Sequence, residues 1–391
     1  MPSKYDFDTI VSRRSTQSVK WDFTSDEKMI PLWVADMDFK AAPPIIAALQ
    51  KRLEHGVFGY SEPSASYYES IVKWFDGRHG LKIRPGWILP VTGVVAALTA
   101  IIKALAQSGD KVLFQTPVYN CFFSSVLNNG CAIQSNALIR KNGCYSIDFE
   151  DLARKAADPK VRLMILCNPH NPVGRVWSRS ELEKIGRICL DNKVFVIADE
   201  IHCELIRPGF IYTPFASISE EFLLNSVTCA SPSKAFNLAG LQCANIFAAD
   251  KTVRAKIEKA LHENEVSMIG PFGIDALTAA YNQCGDWLDQ LNLYLNENYL
   301  MLKEFFQTQL PQFPVAPLEG TYLAWVDCSI LGKTSQEVSD LMLKNGVRIN
   351  PGAIYGKEGE GFIRINFACP KETLKEGLLR IKNTLLNALK Q

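Results

Sequence analysis

A chain of 391 residues, 47% hydrophobic and 21% charged, exceeds the usual single-domain range and can bury two cores. Lys and Arg total 42 against 41 Asp and Glu, a formal charge of +1, so bulk electrostatics argue for neither nucleic acid nor a membrane as partner. Eleven cysteines, odd in number and without a C-x-x-C, read as reduced core residues of a cytoplasmic protein, and the N-terminal MPSKYDFDTI lacks the apolar core of a secretory signal.

In chain order, residues 1–45, with IPLWVADMDF, are expected to form a segment packing on the smaller domain and at a dimer contact. Residues 46–285 are expected to form the large domain. There WILPV is an apolar run, TG turns, and VVAALTAIIKALA has helical composition; this nearly apolar stretch is broken by Lys103 and too short to span a bilayer. KVLFQ reads as a buried strand ending in TPVY, and VRLMILC as another that stops at NPHNPVG. SRSELEKIGRICLDN reads as an amphipathic helix, with Ser178 and Glu181 as a capping box and Leu182, Ile185 and Cys189 on one face. VFVIA is the next strand, ending in DEIH, and FLLNSVTCA is expected to run as a buried strand into SPSK.

Residues 286–391 change in character. CGDWLDQLNLYLNENYLMLKEFFQTQL reads as a long helix, TYLAWVDC and GFIRINFAC as strands, and SQEVSDLMLKNG and KETLKEGLLRIKNTLLNALK as helices, a smaller α+β domain. Buried strands interleaved with helices imply an α/β fold with a mainly parallel sheet, in which ligands sit beyond the carboxyl ends of the strands. The unusual polar residues fall at those ends: Thr92–Gly93, Tyr119, Asn171, Asp199 and Lys234.

Each has a bland and a chemical reading. Lys234 in ASPSKAFNLAG either snorkels to the surface or is a neutral amine able to form an imine with an aldehyde, beside the phosphate-sized donors Ser231 and Ser233. Gly93, Val94 and Val95 open a helix whose free N–H groups suit an anion, although most such turns bind nothing. Asp199 needs a cation or several donors: a protonated pyridine nitrogen, or a neighbouring loop. Asn171 offers a fixed amide to a phenolic oxygen, or simply forms an Asx-turn; Tyr119 stacks on a planar ring or belongs to the core. Arg364 clamps a carboxylate or lies on the surface of its strand. There is no G-x-G-x-x-G, no G-x-S-x-G and no H-E-x-x-H or Cys/His zinc spacing, so no metal is expected; GAIYGKE fails as a P-loop because Glu358 stands where Ser or Thr is required.

The serine-flanked lysine, the strand-end aspartate, N-P-x-N-P-x-G and a late arginine strand, in this order, resemble the fold-type I pyridoxal-phosphate enzymes of the class I/II aminotransferase superfamily. RRSTQSVKWD, PLWVADMDF, GVFGYSEP, TPVYNCF, CNPHNPVGRVW, ADEIHCEL and SPSKAFNLAGLQ resemble the MalY/PatB group of C–S lyases, usually called cystathionine β-lyases. The resemblance implies that Lys234 carries the cofactor and moves the Cα proton. It gives Asp199 the pyridine nitrogen, Asn171 the ring O3′, Tyr119 the ring face, and Gly93, Val94, Val95, Ser231 and Ser233 the phosphate cup. Arg364, with Asn171 and Tyr119, would bind the substrate. Tyr60 would reach the neighbouring subunit's cofactor, which implies a homodimer with interfacial sites. Gln242 stands where aminotransferases usually carry a phosphate-binding arginine, and His202 where many carry a tyrosine near O3′; His202 is then a group beside the cofactor or a structural histidine. The implied activity is β-elimination on cystathionine, cysteine or a related small sulfur amino acid. The alternatives are an aminotransferase, or a lyase-fold protein with a regulatory partner.

Overall fold

The computed structural model describes residues 4–390. Seven strands form the central sheet: β1 (Ile88–Val91), β2 (Lys111–Thr116), β3 (Ala132–Ala137), β4 (Val161–Cys167), β5 (Phe195–Asp199), β6 (Ser226–Ala230) and β7 (Ala244–Phe247). Their order is β1-β7-β6-β5-β4-β2-β3, and only β7 runs antiparallel to its neighbours. The apolar runs are continuous because both faces are covered: Val196, Ile197 and Ala198 of β5 and every residue of β6 are buried. The parallel strands therefore end on one edge, with Cys167, Asp199 and Cys229 in register.

The Ser178–Glu181 capping box forms, and the helix Arg179–Asp191 buries Leu182, Ile185 and Cys189. The helix Gly285–Gln309 runs unbroken for 25 residues. One expectation is corrected. FLLNSVTCA is not a single strand: Phe222–Leu224 belong to the short helix Glu220–Leu224, and the strand begins at Ser226. The hydroxyl of Ser219 accepts the Phe222 N–H and two glutamates fill the first turn, so capping overrides the apolar run.

The C-terminal region holds a second, antiparallel sheet of β8 (Leu323–Asp327), β9 (Asn350–Pro351) and β10 (Phe362–Asn366), ordered β8-β10-β9. The N-terminal segment packs on this region. Ile30–Pro31 pairs in parallel with Val347–Arg348, and the N–H of Asn366 donates to the Leu32 carbonyl at 2.9 Å. Arg13 and Lys20 then clamp Asp36 and Asp38, at 2.6 Å for Arg13–Asp36 and 2.9 Å for Lys20–Asp38. One apolar cluster runs continuously from Phe7 and Leu32 through Phe236 to Ile365 and Leu385, so the segment, the large sheet's helices and the C-terminal region share a core.

Two helix glycines separate propensity from packing. A Cβ at Gly186 would meet the Phe222 ring at 2.3 Å, and that ring is stacked on Phe215 and cannot retreat; a Cβ at the exposed Gly77 meets nothing within 4 Å. Gly77→Ala should raise stability by about 1 kcal/mol. Gly186→Ala should lower it, because overpacking costs about 1–3 kcal/mol and outweighs the same propensity gain. Urea denaturation of the two variants checks both signs.

Candidate active site

The carboxyl edge of the large sheet opens into a cavity of about 630 Å³. Thirteen of the residues singled out in the sequence line it: Thr92, Gly93, Val94 and Val95 after β1, Tyr119 after β2, Asn171 after β4, Asp199 and His202 at and after β5, Ser231, Ser233, Lys234 and Gln242 between β6 and β7, and Arg364 from β10. Tyr60 does not. It is 98% exposed and lines a separate surface cleft with Tyr68, His262 and Met268.

Lys234 is half-buried and its Nζ donates to the Ala35 carbonyl at 2.8 Å. Desolvation, with the Arg364 cation second, pushes its amine down to about 8, against the weaker pull of Asp36 and Asp199. Asp199 is 3% exposed, and burial pushes its carboxyl up to about 7; the N–H of Ile201, at 3.2 Å, and the charge of Lys234 offset this only in part. Burial also drives His202 down to about 3, helped by the nearby Lys234 and Arg364, so its ring is neutral; its Nδ1 has no hydrogen-bond partner among the described residues.

Arg364 lies on β10 opposite Trp325 and Asn350 and is 3% exposed. Its Nη1 donates to Asn171 Oδ1 at 3.1 Å and its Nη2 to the Trp33 carbonyl at 2.8 Å, while Nε has no partner among the described residues. It also sits over the Tyr355 ring at 4.9 Å. The Asn171 amide is therefore engaged by an arginine as well as aimed at the cavity.

The helix Val94–Leu105 begins at Gly93 with no side-chain cap, so the N–H groups of Val94, Val95 and Ala96 are left to the cavity they line. A Cβ built on Gly93 meets nothing within 4 Å, which leaves this end open. The serines differ from each other. The Ser231 hydroxyl donates to the Cys243 carbonyl at 2.7 Å and accepts the Ser233 N–H at 3.1 Å, so its proton is spent within the loop; Ser233 remains as the hydroxyl on the cavity.

Sequence reasoning missed Trp33, Ala35, Cys121, Asn350 and Tyr355, all of which line the cavity. PLWVADMDF was legible as a motif, but its part in the site is carried by the carbonyls of Trp33 and Ala35. Asn350 Nδ2 also donates to the Trp33 carbonyl, at 3.0 Å.

Residues 27–381 match the family described as aminotransferase class I and II. The chain belongs to that family. Within it, the chain is 45% identical to the cystathionine β-lyase PatB of Bacillus subtilis, over 97% of this chain and 99% of PatB. Its fold superposes on cystalysin from Treponema denticola, a structure containing pyridoxal 5′-phosphate, with a TM-score of 0.95 at 35% identity, covering 98% of this chain and 99% of that one. The pyridoxal-phosphate-bound C–S lyase of Staphylococcus hominis gives a TM-score of 0.93 at 34% identity, with 98% and 99% covered. The chain thus has the family's pyridoxal-phosphate fold type I, in its MalY/PatB branch.

The donor set fits that cofactor. An under-solvated carboxylate, an amine of lowered pKa and an uncapped helix N-terminus meet in one cavity, where Arg364 Nε and His202 Nδ1 have no protein partner among the described residues.

The Asp199 shift has a consequence for stability. Its folded pKa, about 7, lies above the ordinary 3.8, so its contribution is fully present below about pH 4 and lost as the pH rises through 7. Asp199→Asn should therefore stabilise the cofactor-free protein at pH 8 by a few kcal/mol at most, with little effect at pH 4. Thermal unfolding at both pH values reads the difference.

Proposed function

We propose that this protein is a pyridoxal-phosphate-dependent C–S β-lyase that converts L-cystathionine, L-cysteine or a related S-amino acid to a thiol or hydrogen sulfide, pyruvate and ammonia. The observation that carries this reading is the convergence of Lys234, Asp199 and the open N-terminus of Val94–Leu105 on one cavity, in a chain 45% identical to PatB.

When bound, pyridoxal phosphate supplies an electron sink for the bond pair released at the substrate Cα. The chain does the rest. Lys234 carries the cofactor and, as a free amine, moves the Cα proton; its lowered pKa makes the neutral form accessible near pH 8. Asp199 keeps the pyridine nitrogen protonated, and the low-dielectric wall that raises its own pKa strengthens that pairing. Asn171 and Tyr119 orient the ring, while the N–H groups of Val94 and Val95, beside Gly93, hold the phosphate with Ser233. Ser231 serves by fixing Ser233. Arg364 Nε, without a partner among the described residues, leaves the guanidinium a donor for the substrate α-carboxylate.

Tyr60 has no role in its own subunit's cavity. Its exposure, together with that of Val57, Phe58 and Met268, supports a homodimer in which Tyr60 completes the partner's site. The eleven cysteines are all free and nine are buried, which suits a reducing, cytoplasmic location. No helix among the described residues is long and apolar enough to cross a membrane. We further assign residues 1–45, 46–285 and 286–391 to the N-terminal segment, the cofactor domain and the small domain. Aminotransferase activity is the second reading, because the family match covers it; against it stands Gln242, which lines the cavity without a positive charge.

Purified protein with added pyridoxal phosphate and no 2-oxoacid should release pyruvate from L-cystathionine in proportion to enzyme. Keto product appearing only with a 2-oxoacid acceptor would instead establish transamination. Lys234→Ala should abolish pyruvate release and the cofactor's bound absorption band while leaving a folded protein. Arg364→Ala should raise KM at least about tenfold, the equivalent of ~1.4 kcal/mol of carboxylate binding, with a smaller effect on kcat; steady-state kinetics give the split.

A further inference from the structure

We propose that Tyr322 is a positioning residue for Lys234: by sharing the Ala35 carbonyl with the lysine amine, it holds that amine at a fixed resting place and weakens the carbonyl's grip on the amine's protonated form. The inference rests on the reading of Lys234 as the residue that carries the cofactor and moves a proton.

The geometry is a three-centre arrangement on one oxygen. Lys234 Nζ donates to the Ala35 carbonyl at 2.8 Å and the Tyr322 hydroxyl donates to it at 2.9 Å. This is the only hydrogen bond either side-chain donor makes among the described residues. Tyr322 is fully buried, and burial holds its hydroxyl well above the usual phenol range, so it is a permanent donor. The oxygen cannot drift, because the carbonyls around it are also held: Trp33 by Arg364 and Asn350, and Val34 and Asp36 by Asn366 Nδ2 at 2.5 and 2.7 Å.

The tyrosine is aimed at some cost. Thr321, immediately before it, has φ of +71°, a left-handed conformation that a β-branched residue rarely adopts. It is kept there by its N–H bonding to the Leu205 carbonyl at 2.7 Å and by its hydroxyl accepting the Leu323 N–H at 3.2 Å. Strain that its surroundings over-determine concentrates at functional positions. Here it directs the next side chain beneath the lysine.

The chemical consequence has a sign. A carbonyl oxygen accepts from an ammonium more strongly than from a neutral amine. A second donor on the same oxygen draws off electron density and reduces that preference, so Tyr322 favours the neutral amine. Other groups act on Lys234 too: Arg364 from β10 disfavours its charge, Asp36 from the N-terminal segment and Asp199 from β5 favour it, and the neutral His202 and the Cys121 thiol lie within range. Tyr322 is the one that acts through the oxygen Lys234 touches.

Competitive acetylation of Lys234 in the cofactor-free protein, read by mass spectrometry across pH, titrates the amine without any catalysis. In Tyr322→Phe the midpoint should rise by about 0.5 to 1 pH unit, the worth of one ordinary hydrogen bond. The acid limb of kcat for the cofactor-loaded enzyme should move the same way, and the amine titration decides. A lower melting temperature with an unmoved midpoint would overturn the proposal, since that is all a purely structural tyrosine would do. Where Tyr322→Phe does not fold, 3-fluorotyrosine at position 322 keeps the shape and sharpens the donor. Its midpoint should fall, and an unchanged midpoint overturns the proposal equally. Pyruvate release is read separately, so a failed lyase reading and a failed Tyr322 role give different results.

Discussion

The site depends on a strap of backbone, residues 32–39, whose carbonyls accept hydrogen bonds from both sides of the cavity. Arg364, Asn350 and Asn366 reach it from the C-terminal region, and Lys234 and Asn237 reach it from the large sheet's loop. Asn237 is pinned reciprocally, accepting the Met37 N–H and donating to the carbonyls of Met37 and Phe39. The strap is anchored behind by Arg13 and Lys20 on Asp36 and Asp38. Lys20 is almost fully buried, so this charge cluster is stable only while all its members are paired. A buried ion pair of this kind adds little net stability, but breaking it is costly, and that property suits an anchor.

The strap permits a cavity that a hydrophobic core would not tolerate. Lys234, Arg364 and Asp199 are all desolvated, and the two cations repel while the carboxylate is lifted to about 7. Burial acts on Lys234 and Asp199 in the direction their proposed roles need: an amine inclined to lose its proton and a carboxylate hungry for a cation. The cost of these burials is borne by the apolar cluster that runs unbroken beneath strap, sheet and C-terminal helices.

Much of this was legible in the sequence because a parallel sheet converts strand ends into neighbours. Asp199 closes β5 and Lys234 follows β6, so identifying the strands sufficed to bring the two together. Arg364 was legible as a candidate, but its burial was not, since that depends on β8 and β9 flanking it. The strap was out of reach for a different reason. Its working atoms are main-chain oxygens, which every residue has, so nothing in PLWVADMDF marks Trp33 and Ala35 above their neighbours. The Ser231 contact was out of reach on similar grounds: the sequence marks a hydroxyl at the cavity but not its bond to the Cys243 carbonyl. The short helix at Phe222 shows the converse, a local cap overriding an apolar run.

Gln242 shows how these constraints combine. It lines the cavity in a left-handed conformation, φ 49°, at the turn after the 3₁₀ segment Ala239–Leu241. An arginine there would place a third cation beside Lys234 and Arg364, with Asp199 the only carboxylate lining the cavity among the described residues. A further positive charge would lower the lysine's pKa again, as Arg364 already does, and would tighten the hold on an anion at the helix N-terminus. With a neutral amide at 242, the proposed anion site is left with the Ser233 hydroxyl and the backbone N–H groups of Val94 and Val95, whose partial charges act over one turn only. Arg364 then remains the one buried guanidinium lining the cavity among the described residues, so under the proposed function electrostatic binding is concentrated at the carboxylate end of the amino acid.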